Sequence, residues 1–267
     1  MSKIVCITGA TSGIGRATAE IFAKNGYNLI LTGRRKEKLE ALGEELVVKY
    51  KIDLMLLNFD VRSREAVDKA LDSLPSGWKN IDILVNNAGL AVGLEPIQDG
   101  NIDDWERMID TNVKGLLYVS RKVLPWMVKN NAGHVFNIAS IAGKETYANG
   151  NVYCATKSAV DSLSRAMRID MVKHGIKVTN VAPGAVETEF SVVRFKGDQQ
   201  RADNVYKGYE PLTGADIADT IYYVATLPDH VCINDLVITP KAQASATIFN
   251  KQLSYCILSG YGRQASA

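Results

Sequence analysis

Short apolar segments alternate with longer amphipathic segments along most of this chain of 267 residues. The apolar segments are nearly continuous in hydrophobicity, which is typical of parallel strands that are buried on both faces. The predicted strands are residues 3–8, 28–32, 54–59, 83–86, 133–138, 177–181 and 235–239, and the predicted helices are 14–25, 36–50, 64–73, 103–130, 151–174 and 214–227. Right-handed crossovers between such strands give the α/β class: a doubly wound parallel sheet of about seven strands, with helices on both faces.

Two segments depart from this alternation. Residues 187–211 interrupt the unit between the sixth strand and the next helix, and we expect them to form a lid over a substrate. From residue 241 onward the chain has no clear period. The sequence therefore predicts one dinucleotide-binding and catalytic domain over 1–240, followed by a tail over 241–267.

The composition argues against several classes of partner. A net charge of +2 does not indicate a surface for nucleic acid or for an anionic membrane. Neither a secretory signal nor an apolar run of membrane-spanning length is recognisable. The four cysteines form no C-x-x-C pair and do not cluster with the three histidines, so we expect neither a disulfide framework nor a metal site. A cytoplasmic, reducing location is predicted.

A glycine-rich turn, T-G-A-T-S-G-I-G, joins the first strand to the first helix. Glycines at such a junction let the backbone approach a pyrophosphate, which lies at the positive N-terminus of the helix. The spacing is G-x-x-x-G-x-G, and its position in the alternation predicts a dinucleotide site. The residues assigned to it are Gly9, Thr11, Ser12, Gly13, Ile14 and Gly15.

Two arginines, Arg34 and Arg35, follow the second strand. A fold that binds NAD usually has an acidic residue here, which holds the ribose 2′-hydroxyl. A guanidinium instead matches a 2′-phosphate. The alternative, a solvated basic helix start, is disfavoured because a helix N-terminus repels cations. The sequence therefore predicts NADP as the cofactor.

The ends of the other strands extend the predicted cofactor site. Asp60 and Val61 follow the third strand, and Asp60 is expected either to accept a hydrogen bond from the adenine amino group or to cap the next helix. In N-N-A-G after the fourth strand, Asn86 and Asn87 are candidate turn formers. The remaining predicted cofactor residues are Asn87, Ala88, Gly89, Pro183, Gly184, Val186 and Thr188.

Tyr153 and Lys157 are spaced i, i+4 in Y-C-A-T-K, which places them on one face of a helix. A nearby cation favours the phenolate form of a tyrosine. Lowering the pKa of a phenol by two to three units requires roughly 3–4 kcal/mol. A buried lysine together with a cationic cofactor ring would supply this, so that Tyr153 exchanges a proton at neutral pH. Ser140, in N-I-A-S, lies thirteen residues upstream.

Taken together, these motifs resemble those of the short-chain dehydrogenase/reductase family over residues 3 to about 240. The resemblance implies a catalytic tetrad of Asn112, Ser140, Tyr153 and Lys157. Ser140 would orient the substrate carbonyl, and Tyr153 would exchange its proton. Lys157 would lower the pKa of Tyr153 and hold the nicotinamide ribose, while Asn112 would anchor a water that links Lys157 to solvent.

Within this family, residues 187–198, 206–219 and the final strand resemble NADP-dependent 3-hydroxy acid dehydrogenases, which include serine and L-allo-threonine dehydrogenases. The resemblance implies a small hydroxy acid substrate and a homotetramer built on helices 103–130 and 151–174. The substrate would be bound at Ser140 and Tyr153. Arg194 is the preferred anchor for its carboxylate because a guanidinium binds it bidentately, and Lys196 is the alternative.

Two other functions remain open at this point. The first is a ketoreductase for other carbonyls such as 3-oxoacyl-carrier-protein, with Lys122 and Lys129 as docking charges for an acidic carrier. The V-D-G-G-like turn typical of those reductases is absent. The second is a non-catalytic NADP-binding sensor, which the complete tetrad disfavours.

Overall fold

A computed structural model describes residues 2–251 of the chain, and in this part seven strands form one sheet. Every pair of neighbours is parallel, and the strand order is β3-β2-β1-β4-β5-β6-β7. The order reverses between β1 and β4, which opens a crevice at the carboxyl ends of these strands. The strands are β1 (Ile4–Ile7), β2 (Asn28–Gly33), β3 (Leu54–Asn58), β4 (Ile83–Asn86), β5 (Gly133–Ile138), β6 (Ile176–Pro183) and β7 (Asp235–Ile238).

Helices cover both faces of the sheet, and each face has its own hydrophobic core. Phe22, Leu46 and Ile221 are fully buried on one face, whereas Leu71, Val123 and Met127 are fully buried on the other. The helices are α1 (Gly13–Lys24), α2 (Lys36–Tyr50), α3 (Arg64–Asp72), α4 (Ile102–Ile109), α5 (Leu116–Asn130), α6 (Asn151–Met171), α7 (Glu189–Arg194), α8 (Gln199–Tyr206) and α9 (Gly214–Ala225). The predicted doubly wound α/β fold is confirmed.

The predicted helix over 103–130 is continuous in the structure, but it is not α-helical throughout. A π-helical segment, Asp110–Gly115, separates α4 from α5. Insertions of this kind occur frequently at functional sites. Here the segment contains Asn112, whose buried side chain bonds to Leu90 of the neighbouring loop and to Thr156 of α6.

The segment 187–211 contains the short helices α7 and α8, and the hydroxyl of Thr188 caps the first of them. The tail from residue 241 forms no helix as far as residue 251, but Gln243 is buried. The boundary at residue 240 stays a prediction, and the tail after residue 251 lies outside the described residues. Over residues 2–251, no helix is both long and apolar enough to cross a membrane.

Candidate active site

One cleft with a volume of about 660 Å³ follows the carboxyl ends of the strands and joins most of the predicted site residues. Gly15, Asp60 and Asn112 are the predicted residues that do not line it. The predicted site residues that do line it are Gly9, Thr11, Ser12, Gly13, Ile14, Arg34, Arg35, Val61, Asn87, Ala88, Gly89, Ser140, Tyr153, Lys157, Pro183, Gly184, Val186, Thr188 and Arg194.

The glycine-rich turn has the conformation that its sequence predicts. Gly9 and Gly13 have φ angles of +67° and +52°, which glycine adopts without strain. A Cβ on Gly15 would lie 2.4 Å from the Gly9 carbonyl oxygen, so Gly15 permits close packing behind the turn and does not line the cleft. The turn therefore leaves room for a phosphate group at the N-terminus of α1.

The Thr8 hydroxyl, which sequence reasoning missed, ties the turn to the end of β4. It accepts hydrogen bonds from the backbone NH groups of Asn87 and Ala88, at 3.0 and 2.9 Å. The Asn87 side chain donates to the carbonyl oxygens of Thr8 and Gly9. Asn86 bonds in the interior to Ser120 and Asn137. Both asparagine side chains are therefore structural, and residues 87–89 line the cleft with the NH groups of 87 and 88 already bonded to Thr8.

The two arginines after β2 have different surroundings. Arg35 donates to the hydroxyls of Thr11 and Ser12, each at 3.0 Å. It also forms an ion pair with Glu189 of α7, at 2.6 Å. Arg34 is half exposed and lies 3.7 Å from a carboxylate oxygen of Asp60. Both guanidinium groups can therefore contact a ligand at this end of the cleft.

Asp60 does not cap the next helix, and its role toward the adenine amino group stays a prediction. The N-cap of α3 is Ser63, so the capping interpretation of Asp60 is wrong. Arg62 binds the Asp60 carboxylate at 2.7 and 2.9 Å. Burial alone would raise the pKa of Asp60, but Arg62 and Arg34 lower it. The carboxylate is thus an ionised acceptor beside Arg34 and Arg62.

Tyr153, the predicted proton-exchanging residue, also lines the cleft and is buried. Only 8% of Tyr153 is exposed, and its ring packs against Phe190 of α7 at 5.7 Å between centroids. Burial raises the pKa of Tyr153, against the opposing effects of Ser140 and the Arg194 charge. In the protein alone the pKa of Tyr153 is therefore raised, whereas the sequence predicts a lowered pKa in the presence of Lys157 and a cationic cofactor ring.

Lys157 lies beneath the tyrosine, as the i, i+4 spacing predicts. Its Nζ atom donates to the Ile138 carbonyl oxygen at 2.8 Å and lies 6.0 Å from the Tyr153 ring centroid. Burial lowers the pKa of Lys157 to about 8. A lysine tuned in this way exchanges protons readily near neutral pH.

The Asn112 side chain joins the loop after β4 to α6 through hydrogen bonds. Its Oδ1 accepts from Leu90 N at 2.8 Å, and its Nδ2 donates to Leu90 O and to the Thr156 hydroxyl. Both amide hydrogens are thereby used. A Cβ on Gly89 would lie 3.3 Å from both Asn112 Oδ1 and Lys157 Nζ. The absence of a side chain at Gly89 therefore lets these two groups converge.

Arg194 projects into the cleft from the C-terminus of α7. Its guanidinium carbon lies 5.6 Å from the ring centroids of both Tyr147 and Tyr153. Its Nε and Nη2 atoms are buried and have no hydrogen-bond partner within residues 2–251. Lys196, the alternative anchor, forms an ion pair with Asp104 at 2.7 Å and does not line the cleft.

Sequence reasoning missed Tyr147, Phe190 and Gln243, all of which line the cleft. Gln243 accepts a hydrogen bond from Ala185 N at 2.9 Å and thereby holds the loop after β6. Phe190 lies two residues after Thr188, so the predicted short helix could have indicated it. No local pattern distinguishes Tyr147 or Gln243, because each lies in a segment without periodicity.

Comparison with known proteins decides the family. The model of the short chain dehydrogenase family matches residues 3–199. The chain belongs to the short-chain dehydrogenase/reductase family. It is therefore an oxidoreductase, and the predicted family is confirmed.

Two curated relatives and one solved structure are similar to this family member over nearly its whole length. An NADP-dependent 3-hydroxy acid dehydrogenase of Salmonella typhi is 48% identical, over 91% of this chain and 97% of that protein. A serine 3-dehydrogenase of Agrobacterium fabrum is 46% identical, over 92% and 97%. The closed form of a serine dehydrogenase complexed with NADP+ superposes with a TM-score of 0.88 and 47% identity, covering 94% of this chain and all of that one. These relatives agree with the predicted cofactor and dehydrogenase class.

Replacing Tyr153 with Phe should abolish most turnover while the cleft stays intact. The ring keeps its packing against Phe190, but the exchangeable proton is lost. Because general acid–base catalysis contributes about 10²–10⁴-fold, we expect kcat to fall at least about a hundredfold. NADP affinity, measured by fluorescence titration, should change little. Tyr223→Phe, at a site that is 61% exposed, is the matched control. Near-normal turnover of Tyr153→Phe would exclude Tyr153 from proton transfer.

Proposed function

We propose that this protein transfers a hydride between NADP(H) and the 3-hydroxyl or 3-oxo group of small 3-hydroxy acids, such as L-serine, L-allo-threonine or 3-hydroxypropionate. The observation that carries the proposal is Arg194, whose buried Nε and Nη2 atoms lie beside Tyr153 and lack a partner among residues 2–251. Burying guanidinium donors without a hydrogen-bond partner lowers the stability of the fold unless a ligand binds them. A carboxylate is the group that this fork matches best.

The residues of the cleft fit NADP. The glycine-rich turn leaves space for the pyrophosphate, and Arg34 and Arg35 offer cations where the adenosine ribose is held in such folds. Bound NADP supplies the hydride acceptor, and the protein supplies position and charge. The residues proposed to hold it are the cleft residues from Gly9 to Ile14, Arg34 and Arg35, Val61, residues 87–89, Tyr153 and Lys157, and Pro183, Gly184, Val186 and Thr188, with Gly15 and Asp60 behind them.

The tetrad side chains would divide the proton chemistry among them. Tyr153 exchanges a proton with the substrate oxygen, and Ser140, at the end of β5, hydrogen-bonds the same oxygen. Lys157, with a pKa of about 8, exchanges protons near neutral pH and can bind ribose hydroxyls. Asn112 fixes the Leu90 backbone beside Lys157. The Asn112 Oδ1 atom remains able to accept a second hydrogen bond, which is the position proposed for the relay water.

Arg194 is the proposed carboxylate anchor, and Lys196 is the weaker candidate. Asp104 already neutralises Lys196 outside the cleft. A substrate held at Arg194 places its reacting carbon near Tyr153, since the guanidinium and the phenol ring are neighbours. One anchor would then serve serine, allo-threonine and 3-hydroxypropionate alike, because all three carry a carboxylate two bonds from the reacting carbon.

Replacing Arg194 with Ala should lower kcat/KM for the free 3-hydroxy acid about tenfold or more. A charge-assisted bond contributes about 1.5–3 kcal/mol, which corresponds to this factor. The corresponding methyl ester, which has no charge to pair, should lose far less. Steady-state kinetics on both substrates measure the difference, with Lys196→Ala as the control. Equal losses on acid and ester would show that Arg194 is not the carboxylate anchor.

The carrier-protein alternative is weakened by an ion pair. Lys122, one of its two proposed docking charges, lies 2.8 Å from Asp72 and 3.8 Å from Asp68. An acidic carrier would have to displace these carboxylates. The sensor alternative requires an inactive site, yet Ser140, Tyr153 and Lys157 all line the same cleft.

We also propose a cytoplasmic homotetramer built on the surfaces of α4–α5 and α6. Leu116 and Val123 of α5 are buried in the protein's own core, so they are not free for a subunit contact. The exposed apolar side chains that support the proposal are Ile109, Leu117 and Ile169, which are 40%, 37% and 75% exposed.

Light scattering at micromolar concentration should give the mass of four chains. Leu117→Lys should shift the mass toward smaller species, because a charge in an apolar contact is not solvated. Val48→Lys on α2, at an 81% exposed site, should leave the mass unchanged. A monomeric unmodified protein would contradict the proposed assembly.

A further inference from the structure

The helix α7 crosses the cleft and is attached to both of its walls. At its first residue, Glu189 accepts hydrogen bonds from Arg35 at 2.6 Å and from Lys38 at 2.8 Å. Next to it, a Cβ on Gly13 would lie 3.0 Å from the Thr188 side chain. At its last residue, the carbonyl oxygen of Arg194 accepts from Gly93 N at 2.9 Å. One short helix thus connects the predicted adenosine end with the reaction centre.

The side chains of α7 divide between these two ends. Phe190 and Arg194 pack against Tyr153, whereas Glu189 faces the side chains that follow β2. A helix of six residues is about 9 Å long, so movement at one end displaces the other. Any group that fixes Glu189 therefore also helps to fix the guanidinium of Arg194.

Glu189 is ionised and holds two cations at once. The hydrogen bond from Lys38, followed by that from Arg35, lowers the pKa of Glu189 and outweighs the opposite effect of partial burial. Arg35 also binds the hydroxyls of Thr11 and Ser12 in the glycine-rich turn. Arg35 therefore joins the turn to α7 through Glu189, a residue 154 positions away in sequence.

We propose that Glu189 is a positioning residue that fixes α7, and with it Arg194, by pairing with Arg35 and Lys38. The inference rests on the proposed function in one respect, which is the role of Arg194 as carboxylate anchor. Placement of the substrate carboxylate would then depend on the same Arg35 side chain that is proposed to bind the 2′-phosphate of NADP. Glu189 itself contacts neither the substrate nor the reacting atoms.

The kinetic test compares Glu189→Gln with Glu187→Gln, which removes an equal charge from an exposed position of the same segment. Two partly exposed ion pairs, each of which contributes little, are lost, so we expect KM for the free 3-hydroxy acid to rise about threefold to fivefold. The kcat value should stay nearly constant, because a uniformly used binding contact is weakened. The methyl ester and the Glu187→Gln variant should show little change.

A double variant separates positioning from general loosening of the lid. If Glu189 acts through Arg194, adding Glu189→Gln to Arg194→Ala should cause no further loss in kcat/KM for the acid. NADPH affinity should be equal or higher in Glu189→Gln, because a carboxylate beside Arg35 is removed. Additive losses, an equal KM rise on acid and ester, or weakened NADPH binding would each overturn the proposal.

A second measurement does not depend on turnover. Hydrogen exchange of the backbone amides of residues 189–194 is followed in the NADP complexes of the unmodified protein, of Glu189→Gln and of Glu187→Gln. At low salt we expect faster exchange in Glu189→Gln and not in Glu187→Gln. High salt should speed exchange in the unmodified protein as well, because salt screens exposed ion pairs. Unchanged exchange would overturn the proposal. If NADP binds but no 3-hydroxy acid reacts, the substrate assignment fails, and exchange alone decides the role of Glu189.

Discussion

The burial of the Tyr153 hydroxyl is the constraint on which the rest of the site depends. A hydride transfer site has to exclude water, and here Phe190 and Arg194 of α7 cover the tyrosine. The same burial raises the pKa of Tyr153 and lowers that of Lys157, so it opposes the charged form of both groups. The interactions of Ser140 and Arg194 with the phenol act in the opposite direction. The positive charge of a bound nicotinamide ring would further favour the phenolate form of Tyr153. Proton exchange by Tyr153 would then depend on whether the cofactor is bound.

The fold supplies this environment through features at the carboxyl edge of the sheet. The strand order reverses between β1 and β4, and the glycine-rich turn and residues 87–89 lie on the two sides of that point. The π-helical segment places Asn112 against Leu90, and Asn112 with Gly89 forms the wall behind Lys157. On the other side α7 packs against Tyr153 and pairs with Arg35. The groups proposed for proton exchange, cofactor binding and substrate anchoring therefore line one cleft.

Much of this site could be predicted from the sequence because its key residues follow local rules. The turn glycines stand at a strand–helix junction, and Tyr153 and Lys157 share a helix face. The π-helical interruption was not predicted, since its sequence differs little from a helical pattern; Asn112, a poor helix former, was the one sign of it. The pairing of Arg35 with Glu189 joins residues far apart in the chain. Tyr147 and Gln243 come from aperiodic segments, so only the folded chain brings them to the cleft.

The most direct test of this account is the titration of Tyr153 in the free protein and in its NADP+ complex. Ultraviolet difference absorbance measures the phenolate, and subtracting the Tyr153→Phe signal isolates one tyrosine among eleven. We predict that Tyr153 stays protonated in the free protein well above the ordinary phenol range, and that its pKa falls toward neutrality when NADP+ binds. The same pKa in both states would contradict the account, because the charge balance at the reaction centre would then not depend on the cofactor.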